Sequence, residues 1–487
     1  MRLSSLLAPG VTVAGDAQGV EVTGLTADSR AVRPGMLFAA LPGSRTDGRA
    51  FVAEALQRGA VAVLADPSLA GTEPGVPLIL DADPRRRLAL IAARFHGRQP
   101  RRIAAVTGTS GKTSVASFTR ALWEHLGCEA ASLGTLGLIA PGGRSSTGLT
   151  TPDPVRLHAL LAELAADGVD HLVMEASSHG LDQRRLDGVH LVAAAFTNLS
   201  RDHFDYHGSF EGYLAAKRRL FSELLPPEGT AVLNADRPEF ETLAAVCRDR
   251  AIAVLDYGRR AERLRLLDRR SHASGQVIDL AVDGRHHRVE SRLVGPFQAE
   301  NVLAALGLVI GSGADPEAAA GLLDRLEGAP GRMQRIGTHP SGAPVFVDYA
   351  HKPDALAQVL EALRAHTEHR LLVVFGCGGD RDPGKRPVMG EIAAARADLV
   401  YVTDDNPRSE DPASIRRAIL DACPGAIEIG DRRAAIRDAI HELREGDVLV
   451  VAGKGHESGQ IVGDRVLPFD DALEVRGAIA ELTGKMA

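Results

Sequence analysis

Residues 103–115 read IAAVTGTSGKTSV, and this stretch decides the fold of the region around it. Ile103 to Thr107 is a short apolar run of the kind that forms a strand buried on both faces. Gly108 and Gly111 then bracket a turn, and Lys112-Thr113 opens a helix. A strand, a glycine turn and a helix in this order let successive N–H groups converge on phosphate oxygens at the helix N-terminus. The expected cradle is Gly108, Thr109, Ser110, Gly111, Lys112, Thr113 and Ser114, with Lys112 reaching the outer phosphates and the Thr113 hydroxyl ligating Mg²⁺. Val106 stands at the first glycine of the general Walker A spacing, so the loop is the shorter TGTSGKTS. A glycine turn carrying a surface lysine is the plainer alternative. The strand before and the helix after it favour nucleotide binding.

Outward from this loop the pattern repeats. HLVMEAS (171–177) and LVAAAFTNLS (191–200) read as strands between helical segments, and LLVVFGCGG, ADLVYVTDD and DVLVVAGKG repeat the alternation in the last third. Each apolar run ends in a Gly- or Asp-rich loop, where doubly wound α/β sheets place their ligands. The basic, proline-containing HGRQPRR (96–102) and the Gly-Pro-Gly segment LEGAPGR (326–332) are the expected boundaries. They divide the chain into a small α/β domain (1–99), a central P-loop-type mononucleotide-binding sheet (100–331) and a Rossmann-like C-terminal domain (332–487).

Composition narrows the classes of function. A chain of 487 residues, 45% hydrophobic and 24% charged, exceeds one ordinary core and has a soluble globular make-up. Its net charge of -7 argues against a general nucleic-acid or membrane-surface binder. The cysteines Cys128, Cys247, Cys377 and Cys423 are far apart and suit a reducing compartment. Pro9 and Gly10 break the opening apolar run, which is expected to be folded protein and not a signal peptide. No stretch reaches the ~20 apolar residues of a membrane span. A cytoplasmic monomer is the expectation.

Two strand ends offer hard oxygen ligands for Mg²⁺: Glu175 closes HLVMEAS, and NLSRDHFDYHG (198–208) follows the next strand with His203 as a less usual ligand. Capping and turn roles are the alternative for such residues in isolation. Lys217, followed by two arginines in FEGYLAAKRRLF, reads by itself as part of a solvated helix face.

TGTSGKTS, MEASSHG, TNLSRDHFDYHG and DYAHKPD, in this order along the chain, together resemble the ATP-dependent Mur ligases, a family with folylpolyglutamate synthase among its close relatives. The resemblance implies that ATP activates a carboxylate of a UDP-linked muramoyl substrate as an acyl phosphate, which an amine then attacks. It implies catalytic roles for Lys112, Glu175, His203 and Lys217. Thr113, Glu175, His203 and a carbamylated Lys217 would hold Mg²⁺, with His203 serving a second ion. A carbamate gives the last position a rationale, since a bare ammonium beside Mg²⁺ would be repelled.

The same resemblance implies further ATP contacts from Asn301 in GPFQAEN, from Arg332, and from Asp348 and His351 in VDYAHKPD. Gln298 stands where the family usually has Asn. Ser29 and Arg30 in TADSRAVRPGMLFAALPG match the uridine-nucleotide end, a segment that otherwise reads only as two strands and a turn. Thr150, Thr151, Ser177, Gln183 and Arg185 match positions that hold the muramoyl peptide, and an arginine suits a carboxylate or diphosphate because its fork bonds bidentately.

Asp405-Asn406-Pro407-Arg408 looks like the signature of the diaminopimelate-adding members. Diaminopimelate carries a second carboxylate that lysine lacks, and Arg408 can pair with it; a surface turn arginine is the bland alternative. Arg381 offers a second guanidinium, and Gly453 and Glu457 in AGKGHES are candidates for the amino-acid ammonium. The implied partners are therefore UDP-N-acetylmuramoyl-L-alanyl-D-glutamate and meso-2,6-diaminopimelate, with ATP and Mg²⁺. A lysine-adding ligase of the same step and a non-catalytic nucleotide sensor are the rivals.

Overall fold

The computed structural model describes the chain from Met1 to Gly484, leaving out Pro9, 44–46, Glu73, Arg201 and 273–274. The chain adopts the expected α/β architecture, and its described residues gather into two compact units, Met1–Tyr257 with Ala304–Asp315, and Gly258–Leu303 with Pro316–Ala487.

In the first unit a five-stranded sheet comes first, ordered Thr12–Ala14, Leu78–Leu80, Ala62–Ala65, Met36–Ala39, Gly24–Thr26. All its pairs are parallel except that of the Thr12–Ala14 edge. Its runs AVLA and MLFA are buried because apolar side chains pack on both faces, one core around Leu37, Leu64 and Ile79 and another around Phe38 and Val63. The segment read as two strands and a turn is Gly24–Thr26 and Met36–Ala39, with a 3₁₀ turn at Ser29–Ala31 between them. The helix Pro84–His96 covers one face. It starts where the Asp83 side chain accepts the Arg86 N–H and stops at Gly97, whose left-handed conformation ends helices readily.

Arg102–Thr107 lies in the middle of the unit's second sheet. On one side it pairs with His171–Glu175 and then Ala130–Gly134, and on the other with Leu191–Phe196, Thr230–Asn234 and Ala253–Gly258, all parallel. The chain leaves the central strand in both directions, so the loop after Thr107 sits at a topological switch point, where α/β sheets open a crevice. Buried Ile103, Ala105, Leu172, Met174 and Phe196 supply much of the core beneath it.

The second unit has an antiparallel meander, Leu264–His272, Gly275–Val282 and Arg285–Ser291. Its six-stranded sheet runs Gln334–Thr338, Pro344–Asp348, Val448–Ala452, Leu371–Phe375, Leu399–Val402, Ile427–Glu428, with only the first pair antiparallel. LLVVF and VLVVA are buried throughout. Each such Val or Leu stabilises the fold by about 1.5–3 kcal/mol. An ion pair spans this unit's interior: Arg432 and Asp471 meet at 2.7 Å with both side chains 0% exposed. Among the described residues no helix is long and apolar enough to cross a membrane.

Candidate active site

The phosphate loop is braced by the neighbouring strand end. Gly108 has φ +144, and a Cβ there would lie 1.9 Å from Thr197 Oγ1, so only glycine lets the two segments approach. Asn198 O accepts from Thr109 N (2.9 Å), and Asn198 Oδ1 accepts from Ser110 N (3.0 Å). Thr197 Oγ1 donates to Ser110 O at 2.7 Å. Lys112 begins the helix Lys112–His125, and its Nζ donates to Gly108 O (2.8 Å) and Thr109 O (2.9 Å). Thr113 and Ser114 are buried in the first turn. Sequence reading assigned Thr197 and Asn198 no task, although a Thr-Asn pair closing the adjacent strand is a signal for such bracing.

Lys217 reaches the same loop. The helix Phe210–Arg219 carries it, 1% exposed, to donate from Nζ to Gly108 O at 2.7 Å above the Tyr213 ring. The solvated face expected of the KRR run holds for Arg218 but not here. Burial, reinforced by the Lys112 charge and opposed by Asp202, pushes the Lys217 ammonium well below the usual lysine range. A neutral amine is the form that takes up carbon dioxide to become a carbamate, so the residue's surroundings fit that modification.

Glu175 is buried at its strand end, where Oε1 accepts from Thr135 N (2.9 Å) and Oε2 from Thr135 Oγ1 (3.0 Å). His203 caps the helix Phe204–His207 in a left-handed conformation and is half exposed, its ring edge-on to His179 at 4.9 Å. Among the described residues no group of three or more His, Cys, Asp or Glu side chains gathers around a metal-sized space. The ligand set implied here is of another kind, a hydroxyl, a carboxylate, an imidazole and a carbamate. All are donors suited to Mg²⁺ except the imidazole, which is the less usual one.

Of the residues expected on the precursor side, Thr150, Thr151, Ser177, Gln183 and Arg185 come together. Thr151 Oγ1 donates to Glu175 O (2.9 Å) and lies 3.0 Å from Ser177 Oγ, and Thr150 Oγ1 lies 3.1 Å from Thr135 Oγ1. Arg185 donates to Thr151 O (2.6 Å) and to Gln183 Oε1 (2.7 Å). Gln183 Nε2 in turn donates to the Tyr206 hydroxyl (3.1 Å), which donates to Asp182 Oδ2 (2.8 Å). Gln183 and Arg185 also line a cavity of about 680 Å³ with Thr26, Asp28, Arg85 and Asp153. Ser29 and Arg30 are not among its lining residues. The Ser29 hydroxyl donates to Glu54 Oε2 (3.0 Å), and Arg30 is exposed and pairs with Asp28.

In the second unit, Asp348 is buried at the end of its strand and accepts from Met333 N (2.7 Å) and Ala350 N (2.8 Å). Burial raises its carboxyl above the ordinary range, against the pull of Arg332 and the two N–H groups. The Arg332 guanidinium lies over the Tyr349 ring at 4.5 Å, and the His351 ring meets the same ring edge-on at 4.5 Å. Asn301 Nδ2 donates to Gln298 Oε1 (3.0 Å), so the unusual Gln298 orients the Asn301 amide.

The residues expected to select the amino acid converge at the carboxyl ends of the parallel strands. Arg408, half-buried, donates to Gly379 O (2.7 Å), and its main chain is held by the hairpin strand Gly459–Val462: its N–H donates to Ile461 O (3.0 Å) and its O accepts from Gly463 N (2.7 Å). A Cβ on Gly379 would fall 2.0 Å from Pro407 O, which is why the FGCGG loop must be bare where the Asp-Asn-Pro-Arg loop lies on it. Asn406 Nδ2 donates to Glu457 Oε2 (3.0 Å), and Gly453 donates its N–H to Asp348 O (3.1 Å). Asp405 is buried, and Arg381 is exposed. Lys454, to which sequence reading gave no role, is wholly buried among them.

Comparison with known proteins bears on this arrangement. Residues 21–96 match the profile described as Mur ligase family, catalytic domain; 106–309 match Mur ligase middle domain; and 331–455 match Mur ligase, glutamate ligase domain. A protein of Bradyrhizobium diazoefficiens named UDP-N-acetylmuramoyl-L-alanyl-D-glutamate--2,6-diaminopimelate ligase is 53% identical over 484 residues, covering 99% of both chains. The chain belongs to the Mur ligase family. A Mur ligase of the same name from Mesorhizobium japonicum is 54% identical, covering 95% of this chain and 96% of its own. A solved structure of a Mur ligase with that name superposes with a TM-score of 0.71 at 37% identity, covering 95% of each chain.

Proposed function

We propose that this Mur ligase adds meso-2,6-diaminopimelate to the glutamyl carboxylate of UDP-N-acetylmuramoyl-L-alanyl-D-glutamate, consuming ATP and releasing ADP and phosphate. The observation that carries the choice of amino acid is Arg408, bonded to Gly379 O in the same loop whose Asn406 donates to Glu457, at the carboxyl ends of the second unit's strands. A guanidinium matches the second carboxylate of diaminopimelate, and an acceptor-only Glu457 matches an ammonium. The likeness to ligases named for that step, along nearly the whole chain, supports the same reading.

The chemistry follows from charge. The precursor carboxylate attacks the γ-phosphorus of ATP, the bond to ADP breaks, and an acyl phosphate results. Two anions must meet for this, and electrostatic neutralisation lowers that barrier. Lys112 and the loop Gly108 to Ser114, with the N–H groups of Gly111 to Ser114 at the helix start, receive the phosphates, while Arg185, held by Thr151 and Gln183, receives the precursor. Thr113, Glu175, His203 and carbamylated Lys217 would hold Mg²⁺, which offsets further phosphate charge. Asn301, Arg332, Asp348 and His351 serve the adenosine end of the nucleotide. The amine of diaminopimelate then attacks the acyl carbon, phosphate leaves, and the nitrogen gives up a proton as the amide forms. Residues 1–99 serve the uridine end, 100–331 the nucleotide and 332–487 the amino acid, in the cytoplasm where these substrates are made.

Phosphate release tests the reading. It is expected only when ATP, the UDP-muramoyl dipeptide and diaminopimelate are all present, with a product of the summed mass less water. Turnover of ATP that needs neither acceptor overturns it.

A further inference from the structure

Lys454 follows the strand Val448–Ala452, and its side chain is 0% exposed. Its Nζ donates to Asn406 Oδ1 at 2.9 Å and lies 3.3 Å from Glu457 Oε2. Ile461 N donates to the same Asn406 Oδ1, also at 2.9 Å. Two donors on Oδ1 leave the Asn406 amide one orientation, because a flipped amide would set its NH₂ against an ammonium and an N–H. Nδ2 therefore faces Glu457 Oε2. That oxygen takes two donors, and among the described residues none reaches Oε1.

Charge adds a second argument. Asp405 and Glu457 both act on the buried Arg432, whose own partner is Asp471, so three carboxylates share one guanidinium in this acidic floor, with Lys454 as the second cation among them. At neutral pH diaminopimelate has two ammonium and two carboxylate groups and no net charge, whereas lysine carries a net positive charge. An acidic floor without a further cation would favour lysine.

We propose that Lys454 is a positioning residue for the incoming amino acid. It locks Asn406 and one oxygen of Glu457, leaves the other oxygen for the substrate ammonium, and balances the floor so that the amino acid with a second carboxylate is preferred. This role rests on the function proposed above for the same cluster.

Steady-state kinetics of the full chain with diaminopimelate and with L-lysine, for wild type and Lys454→Met, tests it. The KM for diaminopimelate is expected to rise roughly tenfold to a hundredfold. The KM for ATP should stay near wild type, and the kcat/KM ratio of lysine to diaminopimelate should rise. Lys454→Met combined with Glu457→Gln should cost less than the two separate effects together, since Lys454 acts through Glu457. An unchanged KM for diaminopimelate with an unchanged ratio, equal rises for ATP and diaminopimelate, or strict additivity overturns the role. Should melting curves show Lys454→Met unfolded, Lys454→Gln keeps a donor without the charge, and an unchanged amino-acid ratio there overturns it equally. A wild-type chain that adds no diaminopimelate overturns the proposed function; a wild type that does, beside an unaffected Lys454 variant, overturns this role alone.

Discussion

Lys112 and Lys217 donate from Nζ to one and the same acceptor, the carbonyl oxygen of Gly108, at 2.8 and 2.7 Å. Two ammonium groups sharing one carbonyl repel each other, and the burial of Lys217 makes it the one to lose its proton. The phosphate loop thus meets two lysines, one at the start of its helix and one buried, whose ammonium is pushed well below the usual lysine range.

Lys217→Ala and Lys217→Arg are both expected to lower kcat by about a hundredfold or more, because neither can carry a carbamate. The arginine variant is the informative one, since it keeps the charge. Phosphate-release assays check this, and full activity in both variants would remove the residue from the mechanism.

Gly108→Ala should abolish tight ATP binding. The added Cβ falls 1.9 Å from Thr197 Oγ1, deep inside van der Waals contact, so the loop has to leave its position. Calorimetric titration with ATP is the check, with a melting curve to show that the sheet still folds.

Arg408→Asn is expected to raise the KM for diaminopimelate by about 1.5–3 kcal/mol in binding terms while leaving that for ATP nearly unchanged. Asn tolerates the φ of +53 at this position, so the loop should keep its shape. Equal effects on both substrates would count against a specificity role.

Asp471→Ala leaves the Arg432 guanidinium buried without its ion-pair partner, and should destabilise the fold by about 3–5 kcal/mol. Urea denaturation measures it; a loss below 1 kcal/mol, roughly that of an exposed pair, would contradict the buried geometry.

His158 gives a pH dependence. Burial pushes its imidazole down from 6.5 to about 4, so the folded chain keeps it neutral where the unfolded chain takes up a proton. Stability is undiminished above pH 6.5 and falls as the pH drops toward 4. This one group should cost about 2 kcal/mol between pH 7.5 and 5. His158→Leu should show a correspondingly flatter profile in denaturant titrations at those two pH values.

Local order made much of this legible in the sequence. A phosphate loop is a strand, two glycines and a helix in immediate succession, so TGTSGKTS could be read without its surroundings. The parallel strands were visible for the same reason, as short apolar runs such as LLVVF. What escaped depended on distant packing. Lys217 looks solvated because the carbonyl it reaches lies 109 positions earlier in the chain. Lys454, between two glycines, has the neighbours of a surface turn and yet no exposure. The direction of the Ser29 side chain likewise depends on a residue 25 positions away, Glu54.

The loop bearing Arg408 is anchored by its main chain, through Ile461 O and Gly463 N, while the guanidinium itself makes one bond to Gly379 O. Evolution can therefore exchange the side chain at this position while the scaffold stays put. A lineage could change the third residue of its cell-wall peptide by a few codons, and selection for a different wall chemistry would leave little trace in the fold.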